Sequence, residues 1–304
     1  MTGDPVIIEA AINGVNSRER NPHIPITPEE VAEDAKRCLD AGAAIIHAHN
    51  HDVFLDPEKA AEAYLEAWAP VLTERPNTLW YPTLSGDATN TMDEKYRHYS
   101  LIAAQIPVQF AVVDPGCTNF GHPDAEGFPT GYSYVNSYAD IRAGFAICED
   151  LSMGPSIAIY EPGFLQTVLS YHRAGHLPAG SMVKFYFGGE WGMFAKGRGV
   201  TFGLPPTEYA LRAYVEMLKG TGLPWSVSVW GADLMDTAVP LLALELGGHL
   251  HVGLEEHFDP DRKPTNAELV AEAADLCRRA GRSVASPAET HELIFGSVAR
   301  TVTI

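Results

Sequence analysis

Histidines fall at three alternate positions in the stretch Ala44-Ile45-Ile46-His47-Ala48-His49-Asn50-His51-Asp52. The stretch begins apolar, as a buried strand does, and side chains of a strand alternate between its two faces. His47, His49 and His51 are therefore expected on one side, and two imidazoles two residues apart at a strand end can grip one metal ion. A second stretch, Gly248-His249-Leu250-His251-Val252-Gly253-Leu254-Glu255-Glu256-His257, reads as a strand that ends in carboxylates. Two neutral imidazoles and one carboxylate make a metal site with open coordination, the catalytic rather than the closed structural type, with zinc the default ion. Manganese, iron and cobalt suit the same donors. By spacing the third ligand stays open among Glu255, Glu256 and His257; strand alternation and Gly253 at the strand exit favour Glu255 slightly.

Other residues have the chemistry of a site without its pattern. Glu161 directly follows an apolar strand, where partial burial raises a carboxyl towards neutrality and suits it to act as a base or to orient one. Cys117 lacks a histidine partner that the sequence can identify and reads as a lining residue. Lys196 and Arg198 lie in a glycine-rich loop, 188–199, and are candidates for meeting a phosphate.

The elements that must position these residues alternate regularly. Apolar strands are expected at 6–12, 44–49, 78–83, 108–113, 156–160, 182–187, 225–230 and 249–252. Helices are expected between them, the first opened by Thr27-Pro28-Glu29-Glu30, in which Thr caps, Pro takes the first helical position and Glu30 completes a capping box. Residues 114–137, rich in Gly, Pro and Tyr, read as a long loop, and 236–246 as one helix. Strands alternating with helices imply a parallel sheet. Eight such units without a Gly-x-Gly-x-x-Gly fingerprint or a P-loop favour a closed (β/α)8 TIM barrel over an open doubly wound sheet. A short extra helix is expected from 286 onwards, and residues 1–304 are read as a single domain. Asn13, His47, His49, Thr83, Ser85, Asp114, Glu161, Glu255 and Glu256 then fall at strand C-terminal ends, where such barrels build their active sites.

The chain has 304 residues with 46% hydrophobic and 20% charged, enough for a large core, and 21 basic against 39 acidic residues, a net charge of −18. That charge argues against nucleic acid, whose non-specific binding needs clustered Lys and Arg, and against an anionic membrane surface. It leaves an anionic small substrate open, because a metal and a few cations reverse the local field. The four cysteines form no Cys-x-x-Cys pair. No basic segment followed by an apolar run opens the chain, and no run of about 18 apolar residues occurs. A cytoplasmic location follows as the expectation.

Taken together the motifs resemble the β-keto acid cleavage enzymes, the family typified by 3-keto-5-aminohexanoate cleavage enzyme. The matching stretches run from Asn21-Pro22-His23-Ile24-Pro25-Ile26-Thr27-Pro28-Glu29-Glu30 through His47-Ala48-His49, Thr118-Asn119-Phe120-Gly121, Tyr160-Glu161-Pro162-Gly163 and Gly253-Leu254-Glu255 to Gly281-Arg282-Ser283. The resemblance implies a TIM barrel, a homo-oligomer, and Zn²⁺ bound by His47, His49 and Glu255. It implies a reaction in which a β-keto acid and acetyl-CoA are exchanged for acetoacetate and a new acyl-CoA. The catalytic acid next to the metal glutamate falls on Glu256, its partner position on His251, and a second acid on Glu161. Substrate-binding positions fall on Asn16, Cys117 and Asn119, and on Ser85 and Gly86 in the turn Leu84-Ser85-Gly86-Asp87. Two arginines of the family pattern read histidine here, at His51 and His251. The same residues also suit a CoA-independent metal-dependent lyase or hydrolase, or a metal-binding sensor without turnover; CoA dependence separates the first reading from the second, and turnover separates both from the third.

Overall fold

In a computed structural model, which describes residues 4–86, 89–199 and 202–296, eight parallel strands form a nearly closed barrel that alternates with helices. In chain order these are β1 (Ile8–Ala11), α1 (Pro28–Ala41), β2 (Ile45–Ala48), α2 (Pro57–Glu74), β3 (Leu79–Pro82), α3 (Met92–Ala103) and β4 (Phe110–Val113). A hairpin of β5 (Cys117–Pro123) and β6 (Pro129–Val135) follows. Then come α4 (Tyr138–Asp150), β7 (Gly154–Ile159), α5 (Pro162–Arg173), β8 (Met182–Gly188), α6 (Glu208–Leu218), β9 (Trp225–Trp230), α7 (Val239–Glu245), β10 (His249–Val252), α8 (Asn266–Arg279) and α9 (Pro287–Phe295). The barrel strands run in the order β3-β2-β1-β10-β9-β8-β7-β4. The seam lies between β3 and β4. Pro82 in β3 has no N–H to give, and the Tyr99 hydroxyl of α3 bridges the gap, donating to Pro82 O at 2.5 Å and accepting from Val112 N at 3.3 Å.

The expected capping box at Thr27 and Glu30 opens α1, and equivalent boxes open α3, α4, α8 and α9. Two expectations change. The 114–137 loop contains the β5–β6 ladder, whose register runs from Cys117 opposite Val135 to Pro123 opposite Pro129; its Gly and Pro content had masked the Thr and Tyr of the strands. The helix expected over 236–246 divides into a 3-10 turn, Leu234–Asp236, and α7, with Pro240 inside the first turn of α7.

Apolar residues fill the space between barrel and helices. A separate cluster of Ile7, Ile45, Leu79, Phe110 and Met182 closes the N-terminal end of the barrel. Helix α9 covers it, with Phe295 against Phe110 at 5.4 Å between ring centroids. Above this plug the strands carry polar residues towards the opposite end, where the loops gather. Among the described residues no helix is long and apolar enough to cross a membrane.

Candidate active site

Strand β2 delivers His47 within its ladder, Ala11 opposite His47 and His47 opposite Tyr81. The His47 ring stacks on Tyr81 at 4.3 Å, and its Nδ1 lies 3.1 Å from the Tyr81 carbonyl oxygen. A carbonyl only accepts, so Nδ1 carries the proton and the Nε2 lone pair is free; such a partner fixes tautomer and ring orientation at a metal ligand. Burial pushes the His47 imidazole down to about 3, which keeps it neutral and ready to ligate. His49 lies just past the strand, where Asn13 clamps its backbone, receiving from His49 N at 2.8 Å and donating to His49 O at 2.9 Å.

Glu255 comes from the loop after β10. Gly253 sits there at φ +145°, and a Cβ on it would stand 2.0 Å from the Ala11 carbonyl oxygen, so only glycine lets the loop press against β1. Gly14 is equally confined, since its Cβ would meet Glu255 Cγ at 2.7 Å. The result is a convergence of donors. His47 Nε2 lies 3.1 Å from His49 Nε2 and 3.6 Å from Glu255 Oε2, and His49 Nε2 lies 3.3 Å from Glu255 Oε1. All three donor atoms fall within 4.8 Å of one another. Glu255 Oε2 is buried without a hydrogen-bond partner. Two imidazole nitrogens and one carboxylate with an unpartnered oxygen fit a divalent cation with open coordination.

The triad faces a cavity of about 380 Å³. Phe120, Tyr132, Tyr134, Tyr160, Tyr186, Phe194 and Trp230 wall it, and Asp114 and Lys184 also face it. Tyr134 donates to Asp114 Oδ2 at 2.5 Å, and burial raises the Asp114 carboxyl.

Beside the triad lies a buried charged chain in which the expected His251 and Glu256 join Glu9, Tyr81 and Lys184, which the sequence did not reveal. Glu9 from β1 accepts from the Tyr81 hydroxyl and pairs with Lys184 Nζ at 3.3 Å. Lys184 also donates to the Tyr81 hydroxyl at 2.6 Å, and Ser156 donates to the same oxygen at 3.0 Å. His251 Nδ1 lies 3.3 Å from Glu9 Oε1, an ion-pair contact, while its Nε2 donates to Glu256 Oε1 at 3.0 Å. Burial works against charge on His251, but the Glu256 and Glu9 carboxylates outweigh it and push the imidazole up to about 9. Burial raises the Glu256 carboxyl, and its Oε2 has no partner. Glu256 and His251 stand behind the wall of the large cavity, on a recess of about 10 Å³. The signal for Glu9 and Lys184 was a single charge inside each apolar strand, Ile7-Ile8-Glu9-Ala10-Ala11 and Met182-Val183-Lys184-Phe185-Tyr186.

The remaining expected residues are distributed unevenly. His51 does not join His47 and His49: β2 ends at Ala48, alternation stops with it, and His51 is exposed. His257 turns to Asp233, 3.4 Å away. Asn16 faces the cavity but donates to the Leu254 and Glu255 carbonyls, both at 2.9 Å, which fixes the ligand loop. Arg20 reinforces the same loop through the Glu256 and His257 carbonyls at 3.2 and 3.0 Å. Glu161 stands before α5, accepting from Thr118 Oγ1 and Gly203 N, both at 2.9 Å, and ties three segments together without lining the cavity. Ser85 donates to the Val53 and Leu55 carbonyls at 3.1 and 3.2 Å, and Gly86 N to Val53 O at 2.8 Å. Asp87 lies outside the described residues. Cys117 is exposed on the hairpin, and Asn119 accepts from Ser133 at 2.7 Å beside it. Lys196 reaches the cavity rim, whereas Arg198 pairs with Glu190 at 3.0 Å.

Known proteins with the same plan span the whole chain. The 3-keto-5-aminohexanoate cleavage enzyme of Fusobacterium nucleatum subsp. nucleatum is 26% identical over 295 residues, covering 96% of this chain and 98% of that protein. The 3-oxoadipate:acetyl-CoA acetyltransferase of Cupriavidus necator is 24% identical, covering 95% of this chain and 94% of that protein. A solved ternary complex of ObcA with a C4-CoA adduct and oxalate superposes with a TM-score of 0.64 at 17% identity, over 90% of this chain and 68% of that one, a likeness of fold. Residues 5–295 match the family described as beta-keto acid cleavage enzyme, and the chain belongs to it.

Proposed function

We propose that the protein exchanges a β-keto acid and acetyl-CoA for acetoacetate and a new acyl-CoA, with Zn²⁺ held by His47, His49 and Glu255. The observation that carries this reading is the convergence of three donor atoms, those of His47 and Glu255 on buried residues, within 4.8 Å of one another on the lining of the large cavity. When bound there, the ion supplies Lewis-acid polarisation of a carbonyl oxygen. The acetyl-CoA half rests on family membership and on the acetyl-CoA in the printed name of the Cupriavidus relative.

The exchange breaks the bond between the keto carbon and C2 of the acid and the acetyl–sulfur bond. It forms a C2–acetyl bond and a new acyl–sulfur bond, so electrons balance without a redox partner. The chain's own task is to take the C2 proton and hold the reacting groups. We assign the proton to Glu256, which must turn from its recess into the cavity to take it and later return it to C2 of acetoacetate; one of its oxygens is held by His251 at 3.0 Å while the other lacks a partner. Lys196, exposed at the rim, is placed to meet a CoA phosphate. We read the molecule as a cytoplasmic homo-oligomer of single-domain chains, its assembly measurable by light scattering.

The test is a panel of β-keto acids incubated with [13C2]acetyl-CoA and purified protein, followed by mass spectrometry. New acyl-CoA and acetoacetate labelled in its keto and methyl carbons are expected with wild type and absent with His47→Ala. Glu256→Gln should retain metal and lose turnover at least 100-fold, the lower end of the range for a general base. Metal-loaded wild type that leaves acetyl-CoA untouched while cleaving a β-keto acid would instead establish the CoA-independent lyase.

A further inference from the structure

A β-keto acid brings a carboxylate into a cavity that already contains Glu255 and Asp114. Burying that anion beside two acids requires a cation. Among the described residues three cationic side chains face the cavity: Arg20, Lys184 and Lys196. Both Arg20 Nη groups are engaged by Asn16 Oδ1 and by the Met193, Glu256 and His257 carbonyls, which leaves a single buried Nε and no fork for a carboxylate. Lys196 is exposed at the rim. Lys184 is 3% exposed, and it uses two of its three ammonium donors, on the Tyr81 hydroxyl at 2.6 Å and on Glu9 at 3.3 Å. The third has no protein partner among the described contacts.

Its position suits the task. Tyr81 touches both Lys184 and the triad: His47 stacks on the ring at 4.3 Å, and the Lys184 ammonium lies 5.1 Å from the same ring's centroid. Glu9 and Tyr81 hold the ammonium in place, so little side-chain entropy remains to be lost on binding. Ser85 and Gly86, two of the expected substrate-binding positions, are turned to the 53–55 backbone and are not part of the cavity lining.

We propose that Lys184 receives the carboxylate of the β-keto acid and thereby sets which end of the substrate enters first. This rests on the β-keto acid reading above. Lys184 then serves as a substrate-binding residue that discriminates acids from their esters and amides. A lysine that only neutralised Glu9 would affect both kinds of ligand equally.

The experiment compares acetoacetate with methyl acetoacetate by calorimetric titration of the metal-loaded protein without CoA, so that no turnover intervenes. In Lys184→Gln, acetoacetate binding should weaken roughly ten- to hundredfold, the range for losing a hydrogen bond to a charged group, while the ester stays within about twofold. Lys184→Arg should keep part of the preference. Equal loss for both ligands, or no loss for either, overturns the proposal and leaves the β-keto acid reading standing. Wild type that binds neither ligand overturns that reading and this inference together. Protein labelled with [13C]lysine tests the same point without a variant in the sample. The Lys184 ε-methylene resonance, assigned by its absence from Lys184→Arg, must shift with acetoacetate and not with the ester; a resonance unmoved by both refutes the contact.

Discussion

Replacing Glu9 by Gln changes one charge in the middle of the barrel and almost nothing of its shape. Glu9 is 1% exposed, and its Oε1 lies 3.3 Å from both Lys184 Nζ and His251 Nδ1. Removing one partner of a buried pair costs about 3–5 kcal/mol, because the other charge stays behind uncompensated. The Gln carbonyl can still accept from the Tyr81 hydroxyl, which returns about 1 kcal/mol. The net loss is then roughly 2–4 kcal/mol. Unfolding entropy of about 2.1 cal/mol/K per residue gives roughly 0.64 kcal/mol/K for this length of chain, so Tm should fall about 3–6 °C. The double variant Glu9→Gln with Lys184→Met removes both charges and, set against Glu9→Gln and Lys184→Met alone, should recover at least half of the summed single losses, a coupling of about 2 kcal/mol. Scanning calorimetry of the four proteins, with metal content measured on each, gives the cycle. A Glu9→Gln variant that melts within about 1 °C of wild type, in a cycle that closes additively, would refute the charge-compensated network.

Gly253→Ala places a methyl group 2.0 Å from the Ala11 carbonyl at a φ of +145°. The backbone strain alone costs on the order of 1–3 kcal/mol, and the displaced loop should lower metal affinity at least tenfold in a competitive chelator titration. Arg20→Lys keeps the charge but loses the fork that holds the Glu256 and His257 carbonyls, so amide exchange over residues 253–258 should accelerate. Two buried histidines far from the triad set an acid limit. Burial pushes His98 down to about 4, and burial with the Arg282 charge pushes His249 down to about 3, both from 6.5. Above pH 6.5 both are neutral in either state and their contribution is fully present. As the pH falls towards 4 the unfolded chain takes up protons that the fold refuses, and stability declines by about 1.4 kcal/mol per pH unit for each. His98→Gln, which can still donate to Thr83 O, should flatten the melting profile between pH 6.5 and 4.5; an unchanged slope would rule out His98 as a contributor.

The sequence carried the parts of this molecule that repeat. Strand-and-helix alternation and the cap at Thr27 are local signals, and the barrel strands and the helix they marked are present. His47, His49 and Glu255 were legible because metal donors stand out at the ends of apolar strands. Long-range contacts were not legible. Glu9, Tyr81 and Lys184 lie on β1, β3 and β8, and only closure of the barrel brings them together. Ser85 and Glu161 looked free at strand ends, yet each satisfies backbone or side-chain groups more than 25 residues away. His51 followed the alternation of a strand that had already ended at Ala48.

The period of two that makes the strands also layers the barrel interior. Ile7, Ile45, Leu79 and Met182 belong to the apolar plug, and two residues further along the same strands stand Glu9, His47, Tyr81 and Lys184. Each polar residue of the upper layer thus rests on an apolar one below it. Water is excluded from beneath, and unmet hydrogen-bonding capacity is left to be satisfied from above. Charges in such a layer are costly unless paired, and Glu9 meets this condition by lying between Lys184 and His251. Among the groups beside this layer that still lack a hydrogen-bond partner are Glu255 Oε2, Glu256 Oε2 and the third Lys184 donor. An acidic chain of net charge −18 can therefore receive an anion at this point, because the field that the anion meets is set by the metal triad and one held lysine rather than by the surface.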